Sequence, residues 1–140
     1  MSNGDLIFAD TSALLALLDG DDLNHDVAFE EWKKFSETQA RLFTSDYVRL
    51  ESSSLIQRRL GAAALCDFHD AFLPLIKILP VGENGFELAF EKWRLAQRRH
   101  LSLVDITSFD CMRREGISRV YSFDRHFAEQ GFQLCPYRSL

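Results

Sequence analysis

Short strand-like runs punctuate the chain at Leu6–Ala9, Arg41–Thr44, Ile76–Leu79 and Val120–Phe123, with a weaker one at Phe132–Leu134. Between them the apolar positions recur at helical spacing. Ala13, Leu14, Leu15, Leu17 and Leu18 form the first such segment. Val27, Phe29, Trp32 and Phe35 form a second, which Asn24 is placed to cap. Val48, Leu50, Leu55, Ile56 and Leu60 predict a third helix, entered through Thr44 and Ser45. Residues Ala62–Phe72 predict a fourth, stopped before Pro74 because proline lacks the amide a helix interior requires. Phe86, Phe90 and Trp93 mark one face of another. The last long segment, "SLVDITSFDCMRR", opens with Ser102-x-x-Asp105, the spacing of a capping box, and runs out near Gly116.

Strands that alternate with helices predict an α/β fold, a parallel sheet of four to five strands covered on both faces. Strand order stays open, because the pattern is local. In folds of this class ligands sit beyond the carboxyl ends of the strands, where the strand order reverses. The residues at those ends therefore matter more than the cores that precede them.

Composition narrows the picture little. The 140 residues are 46% apolar and 26% charged, as expected of one water-soluble domain spanning residues 1–140. No apolar run approaches the roughly 20 residues that cross a bilayer, so no membrane partner is expected. The start, "MSNGD", lacks the basic region and apolar core of a secretory leader. Cys66, Cys111 and Cys135 make neither a disulfide framework nor a zinc pattern, which suits a reducing cytoplasm. Charge is more informative in its distribution than in its net value of −5. Before Lys33 every charged residue is acidic: Asp5, Asp10, Asp19, Asp21, Asp22, Asp26, Glu30 and Glu31. From Arg94 onward basic residues lead, with Arg98, Arg99, Arg113, Arg114, Arg119, Arg125 and Arg138. Arginine forks suit phosphate oxygens, although most such residues simply solvate helix faces.

Four acids fall at or just after strand ends. Asp10 follows Leu6–Ala9 directly. Asp124 stands just past the run in "RVYSFDRHF". Asp105 begins the helix after "HLSL", and Glu51 lies about one turn into the helix after Arg41–Thr44. Each has a plain alternative: Asp10 and Asp124 as helix caps, Asp105 as the capping-box acid, Glu51 as partner to an arginine on its own helix. Together they predict one acidic pocket. Like charges so placed raise one another's pKa and call for a cation. All-oxygen ligation favours a hard ion, Mg²⁺ or Mn²⁺, which polarises phosphoryl oxygens and activates water.

The segments "FADTSALLALLDGDDLNHDVA", "TSDYVRLESSSLI", "LSLVDITSFDCMRREGI" and "VYSFDRHFAEQGF" resemble, in order and across nearly the whole chain, the PIN-domain family, and within it the VapC group of toxin ribonucleases. The resemblance implies a three-layer α/β/α sandwich and a metal-dependent endoribonuclease. It matches Asp10, Glu51, Asp105 and Asp124 to the family's four acids, and Ser12 and Ser122 to hydroxyls that support the metal site. It also implies an RNA substrate, a homodimer and a small antitoxin protein encoded separately. Arg125, next to Asp124, is a candidate phosphate contact. His25 and His126 read as surface residues, Lys77 as a strand-edge residue, and the Phe86, Phe90 and Trp93 face as core or dimer surface.

Other classes fit less well. A non-cleaving RNA- or partner-binding module would share these features and differ in activity alone. A phosphoryl receiver needs an aspartate at a middle strand end and a late lysine. Here the third run ends "KILPVG", and no lysine follows Lys92. An aspartate phosphatase of the haloacid-dehalogenase type needs a second acid two places after Asp10, where Ser12 stands.

Overall fold

The computed structural model describes residues 4–96 and 101–137. Arg98, Arg99 and Arg138 lie outside the described residues. Strands β1 (Leu6–Ala9), β2 (Arg41–Ser45), β3 (Ile76–Leu79), β4 (Arg119–Tyr121) and β5 (Gln133–Cys135) form one parallel sheet in the order β3-β2-β1-β4-β5. Helices α1 (Thr11–Leu18), α2 (His25–Thr38), α3 (Asp46–Leu60), α4 (Ala62–Asp67), α5 (Gly82–Ala96), α6 (Leu103–Glu115) and α7 (Arg125–Glu129) complete the three-layer α/β/α sandwich.

Burial explains why the sheet is covered on both faces. Successive strand side chains point to opposite faces, yet Ile7, Phe8 and Ala9 are all buried, as are Leu42 to Ser45 on β2 and Val120 and Tyr121 on β4. A continuous apolar strand of this kind is stable only between two layers. Lys77 is the exposed residue of β3, an edge strand of the sheet.

The order places the reversal between β1 and β4. The chain winds outward from β1 through β2 to β3, then returns to the other side of β1 to lay down β4 and β5. The crevice of such a sheet opens at the carboxyl ends of those two central strands. Ala9 pairs with Tyr121 in register, and the Asp10 amide donates to the Tyr121 carbonyl (2.9 Å). The chain segments after Ala9 and after Tyr121 therefore leave the sheet side by side. On the other flank, buried Thr44 Oγ1 donates to the Ala9 carbonyl (2.6 Å) and fixes the end of β1 from β2.

The predicted boundaries hold with instructive exceptions. Strand β4 stops at Tyr121 rather than Phe123. Ser122 keeps a backbone bond to Cys135, but the Phe123 amide turns to the Ser12 hydroxyl instead of a ladder partner. Strand β5 sits one residue later than Phe132–Leu134. Asn24 flanks α2 without capping it. Its ψ of 6° is outside the extended region a capping residue adopts, and no side-chain bond forms. The predicted Ala62–Phe72 helix breaks up: α4 ends at Asp67, a π turn covers Phe68–Phe72, and Pro74 lies inside a 3₁₀ turn, Leu73–Leu75. Proline is tolerated there, since its missing amide is one that a first turn leaves unpaired.

Helix starts are fixed by side chains. Ser45 Oγ accepts from the Val48 amide at the start of α3, and Ser102 with Asp105 completes a two-way capping box on α6. Gly116, at φ +69°, ends α6 in the left-handed conformation that lets the chain turn back into β4. The core of the β1–β4 seam is closed by Tyr121, whose ring packs edge-on to Phe35 and whose hydroxyl donates to the Ala28 carbonyl (2.6 Å). Tyr121→Phe removes that bond from a fully buried position. It is expected to cost about 1 kcal/mol, a fall of roughly 3 °C in a thermal melt.

Candidate functional site

The reversal point gathers three carboxylates, each at the start of a helix. Asp10 caps α1, accepting weakly from the Ser12 amide (3.4 Å). Asp105 is the capping-box acid of α6. Asp124 caps α7, accepting from the His126 amide (2.9 Å). The capping role and the cluster are one arrangement, because helix N-termini favour negative charge and these three helices begin next to the ends of β1 and β4 or against them.

Asp10 is the buried member, 5% exposed. Its Oδ2 accepts from the Ser12 hydroxyl (2.8 Å) and from the Ser122 hydroxyl (2.9 Å). Among the described residues, every hydrogen bond to this carboxylate falls on Oδ2, so Oδ1 is left for another partner. The two serines also hold the neighbouring backbone. Ser12 Oγ accepts from the Phe123 amide (3.0 Å), and Ser122 Oγ accepts from the Asp124 amide (2.9 Å). The hydroxyl oxygens are 3.2 Å apart. Each has a single proton, and both protons point at Asp10. Ser12 and Ser122 thus tie Asp10 to the loop that carries Asp124.

Electrostatics follow from this placement. Burial pushes the Asp10 carboxyl up to about 6, against the pull of the Ser12 and Ser122 hydroxyls, and the charges of Asp105 and Asp124 push the same way. Asp105 is also raised, first by burial and then by Asp124, while Ser102 and His126 oppose the shift. Among the described residues no lysine or arginine forms an ion pair with Asp10, Asp105 or Asp124. Apart from the His126 ring, which opposes the Asp105 shift, the charge is left without a counter-charge among the described residues, a setting suited to a cation.

Glu51 stands one step away. Its Oε1 accepts from Thr11 Oγ1 (2.7 Å), and Thr11 in turn accepts from the Ser52 hydroxyl (3.2 Å). Among the described residues Glu51 has no arginine partner, so the helix-pair alternative is not realised. The charges that push Asp10 up are led by those of Asp105 and Asp124. Thr11 was not singled out in the sequence, although its place between Asp10 and Ser12 was a signal. Arg125 is exposed beside Asp124. His25 is remote from the cluster in role, its Nδ1 bonded to the Ala16 carbonyl and its ring stacked on Phe29.

His126 reads as a surface residue in the sequence, but the structure half-buries it beside the acids. Its ring is 19% exposed and lies between two acids, with Nδ1 3.1 Å from Asp124 Oδ1 and 4.0 Å from Asp105 Oδ2. Nδ1 is buried and lacks the alignment of a hydrogen bond with either. Asp105, Asp124 and His126 offer three donor atoms within 4.8 Å of one another. An orphaned ring nitrogen beside two carboxylates, with Asp10 coupled to both, fits a divalent cation.

Comparison with known proteins gives a consistent picture. The family model described as "PIN domain" matches residues 7–133. The 23S rRNA-specific endonuclease VapC20 of Mycobacterium tuberculosis, strains H37Rv and CDC 1551 / Oshkosh, is 33% identical over 128 residues, covering 91% of this chain and 95% of that protein. A crystal structure of M. tuberculosis VapC20, a sarcin-ricin loop cleaving toxin, superposes with a TM-score of 0.77 at 32% identity, over 90% of this chain and 95% of that one. VapBC2 from Rickettsia felis, crystallised with a DNA fragment of its promoter, shares the fold at a TM-score of 0.67 and 10% identity, over 92% of this chain and 96% of that one.

Proposed function

From the premise that this chain belongs to the PIN-domain family, we propose that it is an endoribonuclease of the VapC toxin type, hydrolysing RNA phosphodiester bonds with Mg²⁺ or Mn²⁺. The observation that carries the reading is the convergence of Asp10, Asp105 and Asp124 at the sheet's reversal point with no lysine or arginine paired to them among the described residues. Ribosomal RNA is the substrate to try first, since the 33%-identical relative is a 23S rRNA endonuclease.

Asp10, Asp105 and Asp124 hold the ion, with Glu51 at the margin of the site. A bound divalent ion supplies charge stabilisation for the phosphoryl group and a lowered pKa for its water. The chain's own part is positioning. Ser12 and Ser122 hold Asp10 Oδ2, which leaves Oδ1 available to the ion. Thr11 steers the Glu51 carboxylate through one hydrogen bond. Exposed Arg125 supplies a cation beside Asp124 where an RNA phosphate can be met. Arg49, Arg58 and Arg59 on α3 are exposed and without ion pairs among the described residues. They offer further phosphate contacts that offset the chain's net charge of −5.

The toxin reading brings a separately encoded antitoxin, a cytoplasmic setting and a homodimer. The exposed apolar residues Leu88, Trp93 and Leu95 on α5 and Leu50 on α3 are candidate contacts for a second copy. The stack Tyr47, Phe86, Phe90, Trp93 runs along that side and is partly exposed rather than core.

The test is end-mapping of ribosomal RNA incubated with the purified protein in Mn²⁺, in Mg²⁺ and in chelator. Discrete new 5′ ends that need the ion and vanish in an Asp105→Asn chain are expected. Identical RNA ends under all conditions, with RNA still bound, would leave a non-cleaving binding module.

A further inference from the structure

The site proposed above is built of oxygen donors; His126 adds a nitrogen. We propose that His126, through Nδ1, is a ligand of the ion held by Asp105 and Asp124, and that this nitrogen biases the site toward Mn²⁺ over Mg²⁺. The inference rests on the metal-site reading and goes beyond it by naming the donor and the selectivity.

Three observations carry it. First, His126 belongs to the tightest donor group among the described residues, with Asp105 and Asp124. Second, its Nδ1 is buried, yet it is aligned with neither carboxylate. A protonated ring serving as a counter-charge would turn its N–H onto an acceptor 3.1 Å away. A nitrogen within reach of both acids and hydrogen-bonded to neither suits a shared ion instead. Third, the spacing fits. Ligands about 2.1 Å from one octahedral ion lie roughly 3.0 Å apart when adjacent and about 4.2 Å when opposite. Nδ1 is 3.1 Å from Asp124 Oδ1 and 4.0 Å from Asp105 Oδ2.

The chemical consequence is selectivity. Mg²⁺ prefers oxygen and keeps its waters, whereas imidazole favours ions further along the first transition row. The fold supplies the geometry through a short segment. Asp124 caps α7, its Oδ1 accepts the His126 amide, and buried Phe127 pins the next residue against Phe109 of α6. The ring is thus held over the start of α6, where Asp105 stands.

The experiment reads binding rather than turnover. Mn²⁺ and Mg²⁺ titrations of the wild type, His126→Ala and Asp105→Asn chains are combined with pulsed EPR of the Mn²⁺-loaded wild type. Expected are a nitrogen coupling in the wild-type EPR that disappears in His126→Ala, a loss of Mn²⁺ affinity of about tenfold or more, and a Mg²⁺ affinity changed less than about threefold. No nitrogen coupling in the wild type would overturn the proposal without any variant being made. So would an equal loss of both ions in His126→Ala. Wild-type affinity for both ions in Asp105→Asn would instead sink the metal-site reading on which the proposal rests.

Discussion

Replacing Asp10 by Asn is expected to lower RNA cleavage by about 10³-fold, because the ion that Asp10 would help hold supplies several kcal/mol of charge stabilisation and each 1.4 kcal/mol is tenfold in rate. The substitution is nearly isosteric. The Asn carbonyl still accepts the hydroxyls of Ser12 and Ser122, which now meet Asp10 Oδ2 at 2.8 and 2.9 Å. The links to the Phe123 and Asp124 amides run through those same serines and survive. What is lost is the charge and the free Oδ1. Glu51→Gln is the instructive comparison. Glu51 is held by Thr11 rather than by the three-acid group. It should cost roughly tenfold to a hundredfold, an order of magnitude or more less than Asp10→Asn. Cleavage rates on one RNA, with circular dichroism to show that each variant is folded, check both. Equal damage from the two substitutions would mean that Glu51 belongs to the core of the site and that the three-acid description is wrong.

How much of this was legible beforehand can be argued from particular residues. The strands were readable because they are short and bounded by polar or turn-forming residues, and on the central strand β1 burial on both faces leaves no alternation to confuse. The grouping of Asp10, Asp105 and Asp124 was legible because all three stand at or near strand ends on one edge of the sheet, whereas the family resemblance alone put Ser12 and Ser122 beside Asp10. Capping a helix does not keep an acid out of a cluster. Asp10, Asp105 and Asp124 are caps in the structure and form the cluster as well. A carboxylate at a helix start bonds the amides with part of its capacity and faces outward with the rest. Strand order was not readable, since no local pattern says that β4 returns beside β1. Nor was His126. In "FDRHFAEQ" it looks like a polar residue on a five-residue helix, and only the packing of Phe127 against Phe109 brings the ring over α6. The break after Asp67 leaves no mark in the sequence, because residues 62–72 contain no glycine or proline, and the π turn is a matter of tertiary fit.

In the absence of divalent ions the wild-type protein should lose stability as the pH rises from 4 to 7, the reverse of what paired surface carboxylates produce. The sign follows from Asp10. Its folded pKa of about 6 lies above the ordinary 3.8. The folded state therefore holds the proton more tightly than the unfolded chain does. That contribution is fully present below 3.8 and is lost as the pH rises through about 6. Asp105, also raised, acts in the same direction. For Asp10 the span corresponds to about 3 kcal/mol, or roughly 6–12 °C in the melting temperature of a domain of this size. Other groups titrate over the same range, so the informative quantity is the difference between the wild type and Asp10→Asn in chelator. The two should melt together near pH 4, where Asp10 is neutral. The variant should pull ahead as the pH approaches 7. Adding Mn²⁺ at pH 7 should then narrow the gap by raising the wild type more than the variant, because an ion that binds the folded, ionised site stabilises by mass action and the variant lacks one of its ligands. A wild type that melts level with Asp10→Asn at pH 7 in chelator would show that the carboxylate is not held against its own charge. The pressure for a cation, from which the functional reading starts, would then be gone.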